Sequence, residues 1–235
     1  MTGAPIAAVL FDKDGTLFDF GATWNVWALG ALHHFAAGDA ARLEALAAEA
    51  RFDLAIPAFH PDSPIIAGTN REAAECLARA LPGHAVEDIE EHLMRSAATA
   101  PLTEAVPLGP LLAELRAMGM RLGVMTNDTE FSARAHLGAV GVSEAFDFIA
   151  GFDSGHGAKP APGPLLAFAD SIDLPPGQVV MVGDSTHDLE AGRAAGMRTV
   201  GVLTGPAVAG DLAHLADVVL PDIGHLPGWL AAEAR

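Results

Sequence analysis

The sequence predicts an α/β protein: a parallel β-sheet covered by helices, with a helical segment inserted after the first strand. Three observations carry this expectation. Ile6 to Phe11 is apolar without alternation, which suits a strand buried on both faces of a sheet. Later apolar runs of the same kind alternate with helical stretches, the pattern of a parallel sheet built by crossovers. A gap of about 90 residues then separates the first strand from Pro107, far longer than a single crossover needs.

The remaining core strands are expected at Leu122 to Met125, Phe146 to Ala150, Val179 to Val182 and Thr199 to Leu203, with a short edge strand at Asp217 to Leu220. Between them, helices are expected over Pro110 to Met118, Glu130 to Leu137, Pro164 to Ser171 and Asp188 to Ala195. The long gap is helical in character. Thr23 to Ala36, Ala40 to Phe52, Asn70 to Ala80 and Ala85 to Ala97 carry apolar residues at spacings of three and four. Asp39 is placed to cap the second of these helices, Thr69 with Glu72 fits a capping box on the third, and Pro82-Gly83 ends it. Residues 18–100 therefore read as an all-helical inserted domain, and residues 1–17 and 101–235 as the α/β core. Pro57, Pro61 and Pro64 break the insert with a nonhelical stretch that suits a loop over a cleft.

A chain of 235 residues is long enough to bury a substantial core. Thirteen Lys and Arg face 30 Asp and Glu, a formal charge of −17, so nucleic acid and anionic membrane surfaces are poor partners. An anionic substrate would need a locally positive site, and only two lysines exist, Lys13 and Lys159. No stretch is long and apolar enough to span a membrane, and the start lacks a secretory pattern, so the expected location is cytoplasmic. Cys76 stands alone in a helical stretch and reads as a packing residue.

Four separated segments carry candidate chemistry. In Phe11-Asp12-Lys13-Asp14-Gly15-Thr16-Leu17, two carboxylates two residues apart leave the first strand on one side, where they can meet one ligand, although a solvated turn looks the same. Like charges this close need a cation or strong donors. Lys13 lies between them and is expected to point away as a flanking residue. Thr126 and Asn127 follow the second strand, where ligands bind in open α/β sheets, but where such residues also cap helices. Lys159 sits in the stiff segment Gly157-Ala158-Lys159-Pro160-Ala161-Pro162; it is either a surface lysine or a cation for a transferring group. Asp184 and Asp188 follow the Val179 to Val182 run, with Asp184 equally suited to a helix N-cap. Together the segments supply oxygen ligands for Mg2+, a nucleophile, an acid/base group, a polar clamp and one cation, the parts of phosphoryl transfer.

These four segments, in this order, resemble the signature motifs of the haloacid dehalogenase superfamily, and the helical insert after the first motif is similar to the cap of its phosphoglycolate phosphatase-like branch. The resemblance implies a Rossmann-like sheet ordered 3-2-1-4-5. It implies that Asp12 is the nucleophile that becomes an aspartyl-phosphate, and that Asp14 is the acid and then the base. Thr126 and Asn127 match the second motif and Lys159 the third. Asp184 matches the principal acidic metal ligand, with Asp188 supporting the ion or Lys159. Asp12 and the backbone carbonyl of Asp14 complete the implied Mg2+ site.

The implied activity is Mg2+-dependent hydrolysis of a small phosphorylated metabolite, with phosphoglycolate as the family-level expectation. A sugar-phosphate mutase of the beta-phosphoglucomutase type shares the same core, and a noncatalytic binding or regulatory protein is the reading from another class. Asp14 disfavours dehalogenation, and a lysine-free segment 18–100 removes the Schiff-base lysine of phosphonoacetaldehyde hydrolases. The segment Phe18-Asp19-Phe20-Gly21-Ala22-Thr23-Trp24 departs from the polar stretch usual after the first motif; Phe20, Trp24 and Trp27 are expected in cap–core packing or in an apolar wall at the cap entrance. Arg51, Arg71 and His60 are candidate substrate contacts. A monomer or weak homodimer fits the size.

Overall fold

The computed structural model describes residues 5–233. In chain order, β1 (Ala8–Phe11) is followed by α1 (Val26–Ala36), α2 (Ala40–Ala50), β2 (Phe52–Asp53), β3 (Ala58–Phe59), α3 (Asn70–Ala78), α4 (Val86–Ala97) and α5 (Leu108–Ala117). Next come β4 (Arg121–Met125), α6 (Glu130–Ala139), β5 (Phe148–Ala150), α7 (Gly163–Ser171), β6 (Val179–Gly183) and α8 (Thr186–Ala195). The chain closes with β7 (Arg198–Val202), α9 (Ala209–Leu212), β8 (Val218–Leu220) and α10 (Leu226–Glu233). The six core strands form one parallel sheet ordered β5-β4-β1-β6-β7-β8. Numbered by core strands this is the expected 3-2-1-4-5 order, with the short edge strand added as a sixth.

The unbroken apolar runs follow from burial on both faces. In β1, Val9 and Phe11 pack with Leu108, Leu112 and Leu115 of α5, whereas Ala8 and Leu10 pack with Leu165 and Phe168 of α7 and Ala191 of α8. All four β1 residues have no exposed surface. Opposite faces of one strand thus feed two separate cores, and no position can be polar. Gly123 on β4 is required by this packing: a Cβ there would approach the Phe168 ring to 2.6 Å.

The insert builds its own core. Leu32, Phe35, Leu46, Ala74, Leu77, Ile89 and Leu93 from α1 to α4 cluster together, apart from the two cores that cover the sheet. Its helix starts obey the expected chemistry. Asp39 accepts from the Arg42 amide at 3.1 Å, and Thr69 and Glu72 form a reciprocal capping box. Two features differ from the expected pattern. The first helix opens with a π-helical turn, Gly21–Asn25, before its α-helical part begins at Val26. The insert also holds a two-residue antiparallel ribbon, β2 with β3, where the expectation was helices and a proline-broken loop with no strand. Arg51 at φ +52° stops α2 one residue before that ribbon, and apolar periodicity does not register so short a pairing. Among the described residues, no helix is long and apolar enough to cross a membrane.

Candidate active site

Because β1 lies between β4 and β6, the residues that leave these three strands converge at one end of the sheet. The Asp12 amide still bonds the Val182 carbonyl at 2.8 Å, so its side chain is fixed by the last rung of the ladder. Beyond it the chain must turn sharply. Gly15 has φ +82°, and a Cβ there would collide with the Asp184 carboxylate, so both conformation and close approach demand glycine.

Asp12, Asp14, Thr126, Asn127, Lys159, Asp184 and Asp188 all line one cavity between this sheet end and the insert. Lys159 Nζ donates to Asp12 Oδ1 at 2.5 Å and to Asp188 Oδ1 at 2.6 Å, with all three side chains buried. Burial pulls the lysine pKa down, yet the charges of Asp12 and Asp188 with these hydrogen bonds hold it above its ordinary value. Asp188 Oδ2 closes a capping box with the Ser185 amide and hydroxyl at the start of α8. Ser185, not Asp184, is therefore the helix cap, and Asp184 is released from that role. The Thr16 hydroxyl lies 3.4 Å from Asp184 Oδ1.

Asp12, Asp184 and Asp188 each offer an oxygen within 4.8 Å of the others. Three buried carboxylates around one ammonium leave negative charge uncompensated. Burial, then the neighbouring acids, lift Asp12 to about 7 despite Lys159, and burial with Asp12 and Asp188 raises Asp184 well above the carboxylate range. An all-oxygen donor set with this charge fits a hard divalent cation. The Asp14 carboxylate is not part of that cluster.

Asn127 takes up a structural task. Its Nδ2 donates to the Lys159 carbonyl at 2.9 Å and the Ala67 carbonyl at 3.0 Å, and its Oδ1 accepts from the Lys159 amide at 2.9 Å. The amide thus clamps the lysine loop and ties it to the insert. Thr126 Oγ1 accepts from the Asp128 amide at 3.1 Å and lies 3.5 Å from Asp14 Oδ2.

Lys13 is not a flanking residue. It has no exposed surface, and its Nζ lies 2.8 Å from Asp14 Oδ1, 3.2 Å from Asp128 Oδ2 and 3.0 Å from His136 Nδ1. It also sits 5.2 Å from the centroid of the Trp24 ring. With the ammonium donating to Nδ1, the imidazole carries its proton on Nε2, which donates to the Ala97 carbonyl at 2.7 Å. Burial lowers the His136 pKa, and the Lys13 charge lowers it further. Burial lowers Lys13 too, but Asp14 and Asp128 outweigh it and raise its pKa. The reason sequence reasoning missed this is geometric. Lys13 lies beyond the end of β1, and its length lets the ammonium reach both the neighbouring Asp14 and His136 on α6. Asp128 and His136 join through contacts distant in sequence, which no local motif signals.

The structure does not bring Arg51, Arg71 or His60 to the cavity. Arg51 pairs with Asp62, and Arg71 is held by Glu75, Glu87 and Glu90 on the outer face of the insert. Phe20, Trp24 and Trp27 do both things expected of them: they pack with Ala97, Phe59 and Ile66 and also line the cavity. His187, at the start of α8, lines it as well.

Comparison with known proteins agrees with this geometry. A phosphoglycolate phosphatase of Neisseria meningitidis is 40% identical over 120 residues, 49% of this chain and 50% of that protein. The chain thus spans about half the length of the phosphoglycolate phosphatases it matches in this way. The pyrophosphatase PpaX of Bacillus velezensis is 28% identical over 203 residues, 86% of this chain and 85% of its own. CbbY of Rhodobacter sphaeroides, solved in complex with phosphate, shares the fold with a TM-score of 0.68 at 23% identity, over 94% of this chain and 96% of that one. The family model for haloacid dehalogenase-like hydrolases matches residues 6–196, from β1 to the end of α8 and so across every motif that lines the cavity. The chain is a member of the haloacid dehalogenase-like hydrolase family.

Proposed function

We propose that this protein is an Mg2+-dependent phosphomonoester hydrolase that works through an aspartyl-phosphate on Asp12, with residues 18–100 serving as a cap over a core of residues 1–17 and 101–235. The observation that carries the reading is the division of labour between the two first-motif carboxylates. Lys159 holds Oδ1 of Asp12, which leaves Oδ2 for phosphorus. Lys13 holds Oδ1 of Asp14, whose Oδ2 faces Thr126 at the cavity.

In this reading Asp12 Oδ2 attacks phosphorus as the bond to the leaving oxygen breaks, and Asp14 gives its proton to that oxygen. Water then attacks the phosphorus of the acyl phosphate, its proton passes to Asp14, and the Asp12 carboxylate is restored with release of inorganic phosphate. Lys159 offsets charge on the phosphoryl oxygens, and Thr126 offers a hydroxyl to one of them. Asp12, Asp184 and Asp188, with the Asp14 carbonyl, would hold Mg2+, which when bound supplies charge neutralisation at the transferring group. Closure of the cap excludes bulk water from the site.

The test is phosphate release from p-nitrophenyl phosphate with and without Mg2+, for wild type and for Asp12→Asn. The reading expects metal-dependent turnover in wild type and none in the variant. Turnover retained by Asp12→Asn would remove Asp12 from the mechanism.

A further inference from the structure

We infer that the alcohol released by this hydrolase is uncharged and apolar, with an aromatic group the best match, rather than a carboxylate-bearing or polyhydroxylated metabolite. This rests on the phosphomonoester hydrolase reading and specifies which ester that site takes. The cavity divides sharply by composition. Its sheet end holds the carboxylates and Lys159; its insert side presents Phe20, Trp24, Trp27, Phe59, Ile65 and Ile66. Trp24 and Trp27 meet edge to face at 5.0 Å, and Phe20 and Phe59 lie 6.1 Å apart.

The polar side chains on the insert side are already committed. The Thr69 hydroxyl is used in the capping box with Glu72, and the Asn70 amide donates to the Glu90 carbonyl at 3.0 Å. The Trp27 indole N–H donates to the Ser96 hydroxyl at 3.0 Å. Among the described residues lining the cavity, Lys159 is the only lysine or arginine, and both its carboxylate partners belong to the phosphoryl end. Lys13 is sealed behind Asp14 and Trp24, and Arg51 and Arg71 are neutralised elsewhere. His187, at the start of α8 beside Asp188, lines the cavity with a buried Nδ1 that has no hydrogen-bond partner, but it is not part of the apolar wall.

A second anionic group on the substrate, such as the carboxylate of phosphoglycolate or the distal phosphate that a mutase must rebind, would be desolvated against this wall with no lysine or arginine to meet it. Sugar hydroxyls would lose their water hydrogen bonds without replacement from the side chains of this wall. An aromatic group loses nothing of that kind and gains burial against four aromatic side chains.

The experiment compares kcat/KM for benzyl phosphate and phosphoglycolate with Mg2+, using p-nitrophenyl phosphate as the activity control. Both test esters leave as primary alcohols, so the comparison reports on the wall. The expected preference for benzyl phosphate is on the order of 10- to 100-fold. Ile66→Lys, which adds a cation to the wall, is expected to narrow that preference at least tenfold. Fluorescence titration of Asp12→Asn, read at the wall tryptophans, is expected to show tighter binding of benzyl phosphate by a similar factor. Turnover of p-nitrophenyl phosphate with phosphoglycolate equal or preferred overturns this inference alone. Absence of turnover with all three esters overturns the phosphatase reading and this inference with it.

Discussion

Replacing Lys13 with methionine isolates the contribution of a charge that the sequence alone leaves as a flanking residue pointing away from the two carboxylates. The ammonium is fully buried, and it serves Asp14 at 2.8 Å, Asp128 at 3.2 Å and His136 at 3.0 Å. Methionine keeps most of the stem and removes only the charge and its donors. Two acids then remain in the interior, and Oδ2 of Asp128 has no hydrogen-bond partner to replace the ammonium. Breaking a buried pair in this way costs about 3–5 kcal/mol, against a total stability of about 5–15 kcal/mol for a typical domain. The loss is therefore readable in a urea titration. It should also depend on pH. Burial already raises Asp128 above its unfolded value while Lys13 opposes the shift. Without the ammonium the folded pKa rises further, so the variant keeps stability below the unfolded carboxylate pKa and loses it as pH climbs through the folded one. The Lys13→Met deficit should be larger at mildly alkaline than at mildly acidic pH, and adding Asp128→Asn should restore about half of it. A Lys13→Met protein within about 0.5 kcal/mol of wild type at both pH values would mean that the buried ammonium does not hold these two acids.

Other consequences concern the cavity. Asp12 is raised to about 7, so the metal-free protein should lose stability as pH rises from the unfolded carboxylate value through neutrality, and Mg2+ should raise Tm more above neutral pH than below it; an equal Mg2+ shift at both pH values would contradict this. Asp14→Asn should lower kcat/KM for benzyl phosphate by about 10²–10⁴-fold but for p-nitrophenyl phosphate far less, since nitrophenolate leaves without a proton, while kcat falls for both because the same residue takes the proton of the attacking water; equal losses of kcat/KM would remove Asp14 as the acid. Asn127→Ala should release the Lys159 loop, which the amide holds at 2.9 Å from both sides, and lower kcat with little change in KM; a change in KM alone would mean that Asn127 binds substrate instead.

The sheet was legible because its central strands are buried on both faces, so Ala8 to Phe11 and Val179 to Val182 have no freedom to be anything but apolar. The capping box on α3 was legible at short range, because Thr69 and Glu72 satisfy each other within one turn; the box of Ser185 with Asp188 on α8 was hidden by Asp184, an equally good cap next to it. The convergence of Asp12, Lys159 and Asp188 was legible only as an implication of motif order, since no local rule brings residue 159 to residue 12. What sequence could not convey depended on side-chain reach. Lys13 reaches Asp14 and joins a histidine on α6, while Arg71 finds three glutamates on its own surface and turns from the cavity. The tiny β2–β3 ribbon escaped because two-residue strands carry no periodicity.

Asp12 is the group proposed to accept phosphorus. Quenching the wild-type protein during turnover of benzyl phosphate or p-nitrophenyl phosphate, reducing it with borohydride and mapping its peptides by mass spectrometry tests that directly. The prediction is conversion of Asp12 to homoserine, dependent on both substrate and Mg2+. Turnover with Asp12 unmodified and conversion at Asp14 or another carboxylate would contradict it.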